Sequence, residues 1–357
     1  MFFPSGIFSI SDERHFNRIA LEHFRYQLQE NPVFREFTEA LGIDPGEVKH
    51  YTEIPFLPVE FFKTHRITAT KRKPELIFKS SGTTGTTRSI HQVADASLYR
   101  DTLIASFRYF YGEPGKYMIL ALTPSPIENP ESSLTYMIRT WMDAGSNEGS
   151  GFYLHRQDHL AKFLEKMMVD SFAPKSPEGD LSKAEIRNSN VEPRTSNLKD
   201  PTVLLIGLTY ALLDFAEHHP IPLSGSIIME TGGMKGRKKE MIKEEVHELL
   251  QQAFRVPCIH SEYGMTELLS QAYSEGKGIF RCPPWMKVMI RDVNDPLSWI
   301  GPGRTGGISI IDLANKYSCP FIATQDLGRI YDDGSFEILG RFDYSDARGC
   351  SLMIPPV

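Results

Sequence analysis

Apolar and polar positions along this chain repeat with two different periods. From Phe16 the apolar residues recur at Ile19, Ala20, His23/Phe24 and Leu28, one face of a helix, with Ser11 placed to cap it. Helical spacing returns from Ser97 to Tyr111 through Leu98, Leu103, Ile104 and Phe107, and again from Thr209 to His218. A longer helix is predicted from Lys238 to Phe254, with Met241, Ile242, Val246, Leu249, Leu250 and Phe254 on one face. Between these lie short apolar runs that read as strands: Glu75–Phe78, Tyr117–Leu122, Thr202–Ile206, Ser226–Met229 and Arg255–Ile259. Strands alternating with helices predict an α/β sheet covered by helices.

Other stretches depart from that rhythm. Ile54–Ile67 mixes prolines with aromatics and reads as packed but irregular, while 174–200 is polar and reads as a surface loop or insertion. In the last third, Val288–Ile290, Gly307–Ile311, Phe321–Ala323 and Phe336–Leu339 are short runs broken by Gly, Pro and Asp. They predict an antiparallel, barrel-like subdomain, with Asp332-Asp333-Gly334 as a hairpin turn. No internal repeat is visible.

Composition narrows the function classes. With 357 residues, 41% hydrophobic and 24% charged, the chain is ordinary globular material for one large domain or two. Its 39 basic residues are outnumbered by 45 acidic ones, which argues against a nucleic-acid coat or a polybasic membrane binder. No apolar run is long enough for a spanning helix, and the start, MFFPSGIFSISDER, lacks a basic leader region. The four cysteines lie far apart without CxxC spacing, so neither a disulfide framework nor a zinc knuckle is expected, and a reducing cytoplasm fits. Cys258 and His260 would need further ligands to hold a metal.

Three segments carry candidate chemistry. FKSSGTTGTTRS, Phe78 to Ser89, places two glycines, several hydroxyls and backbone N–H groups where phosphate oxygens can be surrounded, with Arg88 adding charge. It is not a Walker loop. In HSEYGMTELLSQAY, a Tyr-Gly turn delivers an aromatic face, the Thr266 hydroxyl and the Glu267 carboxylate together, suited to a base, a phosphate and Mg²⁺; a plain helix cap at Thr266 is the alternative. In ATQDLGRIYDDGSFEILGRFDYSD, Asp326 follows a strand, where a carboxylate can accept both hydroxyls of a ribose, and Arg341 and Asp343 follow the next strand.

The order of these segments resembles the adenylate-forming superfamily of acyl-CoA synthetases, adenylation domains and luciferases, over residues 75 to 350. SSGTTG followed by RSIH, with METGGMKGR, CPPWM and GRFDYSDARGC, resembles the LuxE-type acyl-protein synthetases, with the phenylacetate-CoA ligase branch as near neighbour. The resemblance implies a large adenylation domain of layered α/β sheets plus a barrel-like subdomain over 1–340, and a hinge and tail over 341–357. It implies that Ser80, Ser81, Gly82, Thr83, Thr84, Gly85 and Arg88 hold the ATP phosphates. Gly232 and Gly233 would line the adenine pocket and Tyr263 would stack on the base. Thr266 would contact the α-phosphate, Glu267 would hold Mg²⁺, Asp326 the ribose, and Arg341 would sit at the hinge. The chemistry would be attack of a carboxylate on the α-phosphorus of ATP, which needs charge neutralisation and alignment more than a protein nucleophile.

Two departures bear on the acyl acceptor. Thr86-Thr87-Arg88 stands where the superfamily has Pro-Lys-Gly, and the chain ends at Val357 without the usual mobile domain and its lysine, a trait shared with the LuxE-like group. That weakens CoA ligation and points to Cys350, in Arg348-Gly349-Cys350-Ser351, as the thiol that receives the acyl group; Arg348 would lower its pKa. Cys258, Cys282 and Cys319 read as structural. His91 and His260 flank the expected site, and the apolar segment around Gly207 to Leu212 suits a fatty or aryl acid, while Phe152, Tyr153 and Tyr210 read first as core and second as an acyl tunnel. The basic run Lys235, Arg237, Lys238 and Lys239 opposes the dipole of the helix it is expected to open. Two alternatives stay open: acyl-CoA or aryl-CoA ligation, and an idle nucleotide-binding partner in a biosynthetic complex. The LuxE-like resemblance implies work beside a reductase or an acyl-donating protein.

Overall fold

Asp12 rather than Ser11 starts the first helix. Its carboxylate accepts from His15 N at 2.8 Å and caps α1 (Glu13–Glu30); Asn31 then ends α1 and caps α2 (Pro32–Ala40). The computed structural model describes residues 6–81, 87–172, 201–233 and 241–342. The proline-rich stretch becomes a two-residue strand, β1 (Leu57–Pro58), and one helical turn, α3 (Phe61–Thr64). An antiparallel hairpin follows, β2 (Leu76–Lys79) and β3 (Ile90–Val93), with Phe78 opposite His91.

The next elements alternate as the periodicity predicts: α4 (Ala96–Tyr111), β4 (Tyr117–Leu122), α5 (Ser133–Gly145), β5 (Gly151–Phe152), α6 (Gln157–Phe172), β6 (Thr202–Leu208), α7 (Thr209–His218), β7 (Ile227–Thr231), α8 (Lys243–Phe254), β8 (His260–Tyr263) and β9 (Ala272–Ser274). They form a six-stranded sheet in the order β5-β4-β6-β7-β8-β9, parallel except for β9 at its edge. Near-continuous apolar strands follow from burial on both faces. Ile119, Ala121, Leu204 and Ile206 enter one core with α4 and α5, while Leu120, Leu122, Val203 and Leu205 enter the other with α7 and α8.

Several boundaries differ from the sequence pattern, two of them by more than a strand end. The last of the long helices begins at Lys243, so Met241 and Ile242 precede it, and its buried stripe is Val246, Leu250 and Phe254. His247 is buried beside that line; Leu249 lies off it and faces solvent, as does Ile242 ahead of the helix. The strand expected over Arg255–Ile259 lies instead at His260–Tyr263. Arg255 takes a left-handed conformation that ends α8, and Pro257 has no N–H to give a ladder, so the chain uses these residues to turn back.

The C-terminal third builds a second sheet from β10 (Met286–Arg291), β11 (Thr305–Asp312), β12 (Phe321–Ile330) and β13 (Phe336–Arg341). These pair antiparallel in succession, and Gly334, at φ +78, turns β12 into β13 as expected. What the sequence pattern does not predict is the fifth strand. Leu57 and Pro58 of β1 lie parallel to β12 at Ile322 and Ala323, which ties the N-terminal helices to the far end of the chain.

Candidate active site

In an open parallel sheet, ligands bind beyond the carboxyl ends of the strands. There β7 ends in Thr231 and runs into Gly232 and Gly233, both with positive φ, and β8 ends in Tyr263 and runs into Gly264. The chain then turns at Thr266-Glu267 without entering a helix, so Thr266 is not a helix cap.

This turn is fixed from three sides. His91 Nδ1 lies 2.7 Å from the Thr266 carbonyl, and Asn315 Nδ2 donates to the Glu267 carbonyl at 2.7 Å. Asp312, fully buried at the end of β11, accepts from Leu269 N at 2.8 Å, Ser270 N at 2.9 Å and Ser270 Oγ at 2.6 Å. Burial pushes the Asp312 carboxyl up, and these bonds oppose that shift. His91 is held down to about 4 by its burial, so its ring is neutral at neutral pH and its N–H belongs on the shorter contact.

The side chains of the turn then meet both sheets. Glu267 is buried; its pKa is raised mainly by that burial, opposed by a hydrogen bond from Ser89 and then by the charges of Arg341 and Lys63. Ser89 N in turn donates to Ser80 Oγ at 2.9 Å, and Arg88 Nε donates to Ser80 O at 2.5 Å. The stem of the glycine-threonine loop is thus joined to the glutamate. On the other side Tyr263 Oη donates to Asp326 Oδ2 at 2.7 Å, and Arg341 Nε donates to Asp326 Oδ1 at 3.0 Å. Tyr263 is 8% exposed and packs edge-on against Phe280 and Phe336, so little of its ring is open for stacking; burial foremost, then Asp326, push its hydroxyl well above the usual range.

The structure therefore brings Tyr263, Thr266, Glu267, Asp326 and Arg341 together, with Ser80 and Arg88 at the loop stem and Gly232 and Gly233 at the neighbouring strand end. Ser81 is exposed beside them. Gly82, Thr83, Thr84, Gly85, Asp343, Cys350 and the run from Lys235 to Lys239 lie outside the described residues. His260 points elsewhere: its ring lies 3.2 Å from Tyr111 Oη and 3.8 Å from Cys258 Sγ. Tyr153 and Tyr210 pack into the core under α7 and α8 and Phe152 into the opposite one, so these three do not share a channel.

Sequence reasoning missed Lys63, Ser89, Asp312 and Asn315. Only Ser89 carried a signal, as the last hydroxyl of the loop motif; the others act through folding contacts between distant segments. Among the described residues no three His, Cys, Asp or Glu side chains cluster as a metal site. A single buried carboxylate beside a hydroxyl suits Mg²⁺ shared with nucleotide phosphates, since that ion commonly takes one or two carboxylates and keeps the rest of its shell from phosphate and water.

No protein-family model matches the sequence, and no curated protein matches it. Solved structures do. A 2-hydroxyisobutyryl-CoA ligase in an open conformation, with 2-HIB-AMP and CoA, superposes with a TM-score of 0.64 at 12% identity, over 93% of this chain and 70% of that one. The same ligase in its postadenylation state, with R3-HIB-AMP, gives 0.64 at 11% identity, over 93% and 68%. ATP-bound MatB from Rhodopseudomonas palustris gives 0.50 at 14% identity, over 90% and 61%. At such identities the likeness speaks to architecture, and on that ground this chain has the fold of the adenylate-forming enzymes.

Proposed function

We propose that this chain activates a carboxylic acid with ATP, forming an acyl adenylate and releasing pyrophosphate. The observation that supports it best is the convergence of Asp326, Tyr263 and Arg341 with the Thr266-Glu267 turn, itself hydrogen-bonded to the phosphate-loop stem through Ser89. Asp326 is the acceptor for the ribose hydroxyls: each of its oxygens holds one protein donor and retains a further lone pair. Gly232 and Gly233 let the backbone lie flat against the adenine, and the loop from Ser80 to Gly85 with Arg88 cradles the phosphates. Thr266 orients the α-phosphate. Glu267 would hold Mg²⁺, which supplies charge neutralisation at the phosphates when bound. Fixed donors and a fixed carboxylate align the acid with the α-phosphorus, which is what this displacement requires.

The second half-reaction transfers the acyl group from AMP to a thiol. In the LuxE-type reading the acceptor is Cys350 or a partner protein; the ligase that holds both an acyl adenylate and CoA is the precedent for CoA. Acid-dependent exchange of labelled pyrophosphate into ATP tests the first step. Exchange with a carboxylic acid and none without it is expected, while ATP binding without exchange for any acid would favour the idle reading. Intact mass after incubation with ATP, Mg²⁺ and the acid, beside a Cys350→Ser control, tests the second: a hydroxylamine-sensitive adduct absent from the control is expected.

A further inference from the structure

The face of the six-stranded sheet that packs under α4 holds more polar atoms than its apolar surroundings can partner. Glu262 projects there from β8, one residue before Tyr263. It is buried, and its Oε2 accepts the Thr231 hydroxyl at 2.5 Å. Its other oxygen lies against the backbone of Gly264: a side-chain carbon added to that glycine would meet Glu262 Oε1 at 2.5 Å and Gln271 Cγ at 3.4 Å. Gln271 is also buried, and its Oε1 has no hydrogen-bond partner. The hydroxyl of Tyr273 and that of Ser106, on the stripe of α4 that carries Tyr99, are buried without partners as well. Tyr99 and Tyr273 both lie close enough to feel the charge of Glu262.

Buried polar atoms in native proteins are almost always satisfied, so several orphans around one carboxylate call for a missing partner. Glu262 and Gln271 meet Gly264, Glu262 also meets Thr231, and Tyr273 is the cross-strand partner of Glu262, so the cluster begins at the two strand ends that frame the nucleotide site. Gln271 Oε1 can only accept, and Glu262 accepts when ionised, so the missing partner is a donor. A bare hydrocarbon chain would leave Gln271 Oε1 and the hydroxyls of Tyr273 and Ser106 unsatisfied.

We infer that Glu262, Thr231, Gln271 and Tyr273 line the acyl pocket, and that the acid activated here carries a hydrogen-bond donor, a hydroxyl or an amino group, rather than a plain alkyl chain. This rests on the adenylation reading above. Its test is calorimetric binding to the full chain of unreactive acyl-sulfamoyl adenosines matched in length: butyryl, 2- and 3-hydroxybutyryl, 2- and 3-aminobutyryl, and hexadecanoyl. At least one hydroxylated or aminated analogue should bind tenfold or more tightly than butyryl and hexadecanoyl, and which arm wins identifies the donor. In Glu262→Gln that ratio should shrink at least threefold; Gln271→Met provides the same readout should the first variant fold poorly. Equal or tighter binding of the plain analogues, or a ratio unchanged in both variants, overturns the inference and leaves the adenylation reading standing. Binding of none of the analogues overturns both.

Discussion

The bond from Tyr263 Oη to Asp326 Oδ2 joins two sheets, for Tyr263 ends β8 of the parallel sheet and Asp326 lies within β12 of the antiparallel one. Arg341 reaches the same carboxylate but is 74% exposed. The two contacts therefore differ in what they contribute. Tyr263→Phe removes a buried hydrogen bond to a charged group and should cost about 1.5–3 kcal/mol in urea unfolding. Arg341→Ala should cost less than about 1 kcal/mol, since water screens the exposed guanidinium. Nucleotide affinity, measured by calorimetry with ATP, should fall in both.

Glu267→Gln separates catalysis from stability. Burial raises the pKa of this carboxyl, so an amide of the same shape avoids the desolvation cost of the charge and still accepts from Ser89. Acid-dependent pyrophosphate exchange should drop by about a hundredfold or more, the scale set by loss of one preorganised electrostatic group. The melting temperature should hold or rise. A melting temperature lowered by several degrees would recast Glu267 as a folding residue.

Asp312 lies behind the turn and should matter to stability. Asp312→Ala strands the buried N–H groups of Leu269 and Ser270 together with the Ser270 hydroxyl. A loss of about 3 kcal/mol or more in chemical denaturation is expected, beyond the value of any one bond, because orphaned donors bear their full desolvation cost.

Glu262 gives stability a pH dependence. Its pKa rises from 4.5 to about 7, chiefly by burial, with the Thr231 bond opposing. Between those values the folded chain binds the proton that the unfolded chain has released. Stability therefore falls as pH rises through this window, by at most about 3 kcal/mol once both states are ionised. Glu262→Gln removes the effect, so the variant's melting temperature should gain on the parent's steadily from pH 5 to pH 8.

How much of this could be read in the sequence depends on the range of each contact. The strand Tyr117–Leu122 and the helix Thr209–His218 match their predicted bounds because local periodicity alone specifies them. That Tyr263, Thr266 and Glu267 lie close together was legible because one short segment carries all three. The sequence pattern puts Asp326 and Arg341 after their strands, whereas Asp326 lies within β12 and Arg341 ends β13, and their mutual bond depends on the register that pairs the two strands. Asp312 follows the run Gly307–Ile311, Lys63 lies in the irregular stretch Ile54–Ile67, and Glu262 precedes the Tyr-Gly turn, and none of the three carries a local signal. Their roles come from segments far apart in the chain, which no local pattern encodes.

The parallel pairing of β1 with β12 has a consequence for synthesis. Gln27 of α1 donates to the carbonyl of Lys316, a partner 289 positions later. At about 5–20 residues per second, a ribosome reaches that partner roughly 15–60 s after α1 has emerged. Until then the apolar face of α1, with Phe16, Ile19 and Phe24, has no sheet to cover it. The nascent chain thus spends its longest interval with its first-made surface uncovered, the situation in which chaperones are recruited and N-terminal truncations leave the last-made sheet incomplete.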